Sequence, residues 1–312
     1  MAIFRHTDDL PPEARGGVVA IGNFDGVHLG HRTLLAEGLR LAEGLDVPLG
    51  ILTFEPHPRS VFRPQDPTFR LTPLRAKTHA LEALGVEHLY VLHFDTDFAA
   101  ETAEAFVRKI LVEGLAARQV VVGQDFRFGH KRVGDAALLE ALGRDLGFGV
   151  SALAPIAAED GVIFSSSTIR RCLRDGQPAE AARLLGRPWQ IEGRVEHGDE
   201  RGRALGFPTA NLAIDDYLVP ALGVYAVRVM IDEAEDGAWQ TGVANLGRRP
   251  TVDGSRILLE VHLFDFADDL YGRHLRVQLI DFLRREKKFD GLEGLRAQIA
   301  EDCRQARAIL AR

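Results

Sequence analysis

The stretch GNFDGVHLGH, residues 22–31, sets two histidines three positions apart among three glycines. Residues of these types do three kinds of chemistry. Imidazoles bind zinc, move protons, or donate hydrogen bonds to an anion. A zinc pair needs a third ligand, and none stands out nearby. His57 in TFEPHP (53–58) is conceivable, but its proline neighbours suit backbone shaping. Asp25 is, by residue type, a metal ligand or a helix cap. The neighbourhood favours the anion. A strand-like run, GVVAI (17–21), precedes the stretch and a helix-like one follows it. Gly22, Gly26 and Gly30 let backbone N–H groups approach a phosphate, and the helix N-terminus adds partial positive charge. His28 and His31 then reach the phosphates as donors. Neither a P-loop nor a G-x-G-x-x-G fingerprint is present.

A second stretch, GFPTAN (206–211), offers different chemistry. Thr209 and Asn211 present two oxygens two positions apart, suited to a hard cation on an extended segment. Gly198 and Gly206 allow the preceding loop to fold over phosphates. Arg201 and Arg203 read as a solvated loop face. Further on, Glu260 sits in the alternating run LLEVHLFDF (258–266). A carboxylate there is a half-exposed surface residue or an installed base, and periodicity alone favours the surface.

These residues need elements to position them. The first half alternates strand-like runs (17–21, 49–54, 88–94, 119–123, 150–155) with helix-like ones (31–45, 73–84, 102–113, 135–146). Thr72 reads as the N-cap of the second helix, with Pro73 at its first position. This alternation predicts a parallel sheet covered by helices, with ligands at the carboxyl ends of the strands. After Pro188 the runs 189–198, 223–231, 239–247, 258–266 and 274–283 follow without helices between, as in an antiparallel barrel or sandwich. An amphipathic helix over 291–310 closes the chain. The expected domains are 1–186 and 187–312.

The chain has 312 residues and a formal net charge of -7, which argues against general binding to nucleic acid or to a membrane surface. Its two cysteines, Cys172 and Cys303, lie far apart in helix-like stretches and read as buried thiols. The start has no apolar signal region, and no run approaches a membrane span. The expected location is the cytoplasm. Self-association is not legible.

GNFDGVHLGH resembles the H-x-G-H motif of the nucleotidylyltransferase superfamily. TFEPHP, GQDFRFG (123–129) and SSSTIR (165–170) narrow the resemblance to the FMN adenylyltransferase module of bacterial bifunctional riboflavin kinase/FAD synthetases. Ser167 stands where that family has threonine, and Asp125 where it often has asparagine. GFPTAN, GVYAV (223–227), NLGRRPT (245–251) and FLRREKKFDGLEGLRAQI (282–299) look like its riboflavin kinase module. The resemblance implies a Rossmann-like parallel α/β domain followed by a six-stranded antiparallel barrel with a terminal helix. It implies that His28 and His31 hold the ATP triphosphate, with Gly22, Asp25, Gly26 and Gly30 around it and Ser167 and Arg170 on the opposite side. Asp125 would lie by the flavin phosphate, and Phe62 and Phe128 are candidates to stack on the flavin ring, with core packing as the alternative for both. In the barrel it implies Mg²⁺ and ATP at Thr209 and Asn211, and Glu260 as catalytic base. The expected substrates are riboflavin, FMN and ATP, with no nucleic-acid or membrane partner. Two other readings compete: a riboflavin kinase with a degenerate N-terminal half, and a non-catalytic flavin or nucleotide sensor.

Overall fold

The computed structural model describes residues 1–197, 206–232, 238–251 and 254–312. Two compact units divide the chain: Met1–Pro67 with Thr72–Ser165, and Thr68–Leu71 with Ser166–Arg312.

The first unit is a six-stranded parallel sheet in the order β1-β4-β3-β2-β5-β6. Its strands are β1 (Ala2–Phe4), β2 (Val18–Ile21), β3 (Leu49–Glu55), β4 (His88–His93), β5 (Gln119–Gly123) and β6 (Gly149–Leu153). The helices are α1 (Leu29–Leu45), α2 (Pro58–Phe62), α3 (Leu74–Glu82), α4 (Thr96–Ala99), α5 (Ala103–Phe106) and α6 (Ala136–Leu146). All four residues of β2 are buried, because each face of the sheet carries its own core. Val18 and Ala20 pack with Leu34, Leu35 and Leu81. Val19 and Ile21 point the other way, to Leu111 and Leu139. The pleat's period of two makes this division.

From β2 the chain steps to β3 and β4 on one side, then returns to β5 on the other. That reversal is a switch point, where the carboxyl ends of neighbouring strands open a crevice. GNFDGVHLGH leaves the end of β2, and GQDFRFG leaves the end of β5.

Several boundaries differ from the sequence expectation. The edge strand β1 is short, and nothing in its three residues marks it beforehand. The expected 102–113 helix is α5 running into a π-helical segment, Val107–Gly114. The helix at 73–84 is Leu74–Glu82 with Pro73 as its N-cap residue, so Thr72 does not cap it. Thr72 is drawn instead into the loop after β2, as described below.

The second unit begins with α7 (Ser166–Arg174) and α8 (Pro178–Leu185). Then come β7 (Trp189–Glu196), β8 (Ala210–Ala213), β9 (Gly223–Ile231), β10 (Gln240–Thr251), β11 (Gly254–Leu263) and β12 (His274–Arg285). They close an antiparallel barrel in the order β10-β11-β8-β7-β12-β9. The strand β8 carries the end of GFPTAN and is the member that alternation alone did not single out. Cys172 is buried and Cys303 half-buried, both unpaired. Burial pushes the Cys303 thiol up to about 11, so it stays protonated and inert.

The C-terminal helix, Leu292–Leu310, covers the outer face of the barrel. Ala306 and Leu310 pack on Val224, Ala226, Val243 and Phe264. A buried ion pair helps to fix it. The Arg284 Nε and Nη2 donate to the two Asp302 oxygens at 2.8 and 2.7 Å, and Gln298 adds a bond at 2.9 Å. Asp302 is 2% exposed. Breaking a buried pair strands a charge, so Asp302→Ala should cost about 3–5 kcal/mol. Urea unfolding of the variant measures this, and a loss below about 1 kcal/mol would show that the pair is not needed to seat the helix.

Candidate functional sites

At the end of β2 the backbone turns through left-handed conformations at Phe24 (φ 48°), Gly26 (φ 88°) and Val27 (φ 46°). Gly26 adopts this freely, whereas Phe24 and Val27 are strained. Both are fully buried, so packing holds them there. Asp25 is buried too. Its Oδ1 accepts from the Thr72 N–H at 2.9 Å and from the Thr72 hydroxyl at 3.3 Å. The Gly26 N–H donates to Thr72 Oγ1 at 2.8 Å. Asp25 therefore ties the loop down and does not cap α1.

His28 is the N-cap of α1, and its Nδ1 accepts from the His31 N–H at 3.3 Å. While Nδ1 accepts, the ring proton sits on Nε2, which is left as the donor. The two imidazoles stack with centroids 3.7 Å apart. A Cβ on Gly30 would sit 3.2 Å from the His28 ring and 3.2 Å from the Phe164 carbonyl, so glycine makes room for the histidine. His31 Nδ1 is buried with no hydrogen-bond partner among the described residues. Burial first, then the neighbouring His28 and Lys77, hold the His31 imidazole well below its ordinary value. An unmatched buried nitrogen at a helix N-terminus fits a phosphate oxygen. Gly22 continues the sheet through its N–H to the Leu52 carbonyl at 3.1 Å.

Two residues escaped the sequence reading. Lys77, on α3, is 3% exposed, with its Nζ 3.5 Å from Thr53 Oγ1 and 3.7 Å from Glu55 Oε1. The signal was available, because Lys77 stands with Leu81 on the buried stripe of that helix. Thr72 was read as a cap. His57 caps α2 through its Nδ1, which accepts from the Arg59 N–H at 3.1 Å. Among the described residues no group of three or more His, Cys, Asp and Glu could hold a metal.

Phe62 and Phe128 prove to be members of one aromatic array. Phe62 meets Phe94, which meets Phe54 and Phe98; Phe106 then leads to Phe128 and Phe126, with centroids 5.4–6.5 Å apart. Phe62 is 63% exposed, whereas Phe128 is 7% exposed in the core. Packing accounts for Phe128, and only Phe62 offers an open ring face. Asp125 is exposed in the loop after β5.

Ser167 and Arg170 belong to the second unit. Ser167 is exposed in the first turn of α7. The Arg170 Nε donates to the Phe69 carbonyl at 2.8 Å, and its guanidinium lies over the Phe69 ring.

On the barrel, strand register assembles a polar row across four strands. Glu196 pairs with Asn211, Asn211 with Glu260, and Glu260 with Asn245. All four side chains share the outer face that the C-terminal helix covers further along at Val224 and Val243. Glu260 is half-buried. Its oxygens accept from the Arg249 guanidinium, from Nε at 2.8 Å and from Nη2. A carboxylate so engaged would have to exchange one of these bonds to accept from a hydroxyl. Asn211 is buried beside it, with Thr209 just before the strand. The set is oxygen-rich and lacks sulfur and imidazole, which suits Mg²⁺ shared with phosphates. Gly206 turns with φ 86°, and Gly198 lies outside the described residues.

A doubly wound sheet with a histidine–glycine cradle at its switch point, in one chain with a closed barrel bearing a polar row, fits a nucleotide-using transferase of two modules. Comparison with known proteins names both. The FAD synthetase family model matches residues 10–168, and the riboflavin kinase model matches residues 185–310. The bifunctional riboflavin kinase/FMN adenylyltransferase of Escherichia coli K12 is 46% identical over 290 residues, 92% of this chain and 90% of the relative. That of Haemophilus influenzae is 40% identical over 308 residues, 99% of each chain. That of Pseudomonas fluorescens is 44% identical over 312 residues, covering 100% of this chain and 98% of the relative. A crystal structure described as a macrolide-efflux protein from Streptococcus pneumoniae matches with a TM-score of 0.85 at 32% identity, covering 98% of each chain. That description stays with the streptococcal protein; among the described residues here, no helix is long and apolar enough to cross a membrane. The chain belongs to the bifunctional riboflavin kinase/FMN adenylyltransferase family.

Proposed function

We infer that this chain carries out both reactions of its family. It phosphorylates riboflavin with ATP to give FMN and ADP. It then transfers the adenylyl group of a second ATP to FMN, giving FAD and pyrophosphate. The observation that carries this reading is that the FAD synthetase and riboflavin kinase family models match successive parts of one chain. We assign 1–186 to adenylyl transfer and 187–312 to the kinase. Action in the cytoplasm fits both, since each consumes ATP.

In adenylyl transfer no covalent nucleophile is needed. An FMN phosphate oxygen attacks the α-phosphorus of ATP, and the bond to the β-phosphate oxygen breaks. The protein positions the reactants and offsets charge. His28 Nε2–H and His31 donate to the triphosphate as pyrophosphate leaves. Gly26 and Gly30 keep the backbone close. Phe62 stacks on the flavin ring, with Asp125 toward the flavin phosphate.

In the kinase, Glu260 accepts the proton of the ribityl 5′-hydroxyl as that oxygen attacks the γ-phosphorus. Thr209 would hold Mg²⁺ together with the phosphates, and the ion would supply counter-charge there. Asn211 orients that cluster, and Gly206 shapes the loop over the phosphates.

The full chain incubated with riboflavin, ATP and a magnesium salt should yield FMN first and FAD after it, separable by chromatography. EDTA should stop FMN formation. FMN accumulating without FAD would reduce the protein to a kinase with a degenerate N-terminal half. Tight flavin binding with no product would make it a sensor.

A further inference from the structure

Lysine is among the residues least often buried, because its ammonium loses hydration. At position 77 a leucine or methionine would fill the stripe of α3 without that cost. Lys77 instead reaches under the phosphate loop. Its Nζ donates to Thr53 Oγ1, and the Thr53 hydroxyl donates to the Asn23 carbonyl at 3.4 Å. Thr72 holds the same loop at Asp25 and Gly26. The start of α3 thus grips a loop containing two strained residues, Phe24 and Val27. The charged groups around this point are His28 and His31 on α1, Asp25 in the loop, Glu55 on β3 and Lys77 itself.

We propose that Lys77 is a positioning residue of the adenylyl-transfer site, which clamps the phosphate loop through Thr53 while Glu55 balances its charge. The inference rests on the adenylyltransferase reading. Its consequence is that the strained turn at Phe24 and Val27 is held in place from outside the loop, by Lys77 through Thr53 and by Thr72.

Lys77→Met keeps the apolar stem and removes the bond to Thr53, and Thr53→Val removes the relay to Asn23 while leaving the ammonium in place. Each should raise the KM for ATP in FAD formation about tenfold with a smaller change in kcat, and leave FMN formation from riboflavin as in the parent. Lys77→Arg, which keeps a donor for Thr53, should stay near the parent. If Lys77→Met does not fold, Thr53→Val reads the same effect. A parent KM in Thr53→Val, or a fall in kcat alone, overturns the proposal. If the parent forms no FAD at all, the adenylyltransferase reading fails, while amide hydrogen exchange over residues 22–28 in Thr53→Val against the parent still decides whether the relay holds the loop.

Discussion

His28→Ala should lower FAD formation from FMN at least about 100-fold while leaving FMN formation from riboflavin unchanged. Two losses combine in this variant. The imidazole Nε2–H, aimed away from the bond that Nδ1 makes to the His31 N–H, no longer meets the charge that develops on the leaving pyrophosphate. The N-cap of α1 is also gone, which costs about 1 kcal/mol of stability. His28→Asn separates them, because asparagine caps a helix well but cannot place a donor where the imidazole does. It should restore stability and leave FAD formation low. Coupled product assays with each flavin supplied separately make the measurement. Equal losses in both activities would mean that the two sites are not independent.

The second large effect is expected in the barrel. Glu260→Gln should lower FMN formation by about 100- to 10,000-fold, the usual worth of a positioned general base. FAD formation from supplied FMN should persist at the parent rate. Glutamine keeps the shape and can still accept from Arg249, but it cannot take a proton from the ribityl hydroxyl. The pair with Arg249 sharpens the test, since the variant also loses the charge that holds that guanidinium. If the variant retained kinase activity, the base role would pass away from Glu260 and the carboxylate would be a structural partner of Arg249.

Much of this site could be read before any fold was known. The strand, turn and helix around GNFDGVHLGH are local, and so is the preference of glycine-rich helix N-termini for anions. Histidine as N-cap was not foreseen, because serine, threonine, aspartate and asparagine dominate that position and Asp25 stood close by. Thr72 illustrates the opposite error. It sits where a cap belongs, yet a buried carboxylate 47 residues earlier claims its N–H and hydroxyl. Phe62 and Phe128 look alike in sequence and differ in exposure, since α2 lies at the surface while the chain after β5 turns inward.

The sequence by itself determined the chemistry on offer: a histidine–glycine cradle, an oxygen-bearing GFPTAN segment, a strand glutamate, and two textures of chain. These depend on residue type and on periods of 2 and 3.6, which are local quantities. Only the tertiary structure decided what meets what. The return of the chain from β4 to β5 puts two distant loops at one switch point. The burial of Lys77 against Thr53 turns an ordinary helix lysine into a support of the loop after β2. Strand register lines up Glu196, Asn211, Glu260 and Asn245, and brings Arg249 onto Glu260. A period of two says which face a residue takes and is silent on its partner across the strand, because register is set by packing and closure of the whole barrel.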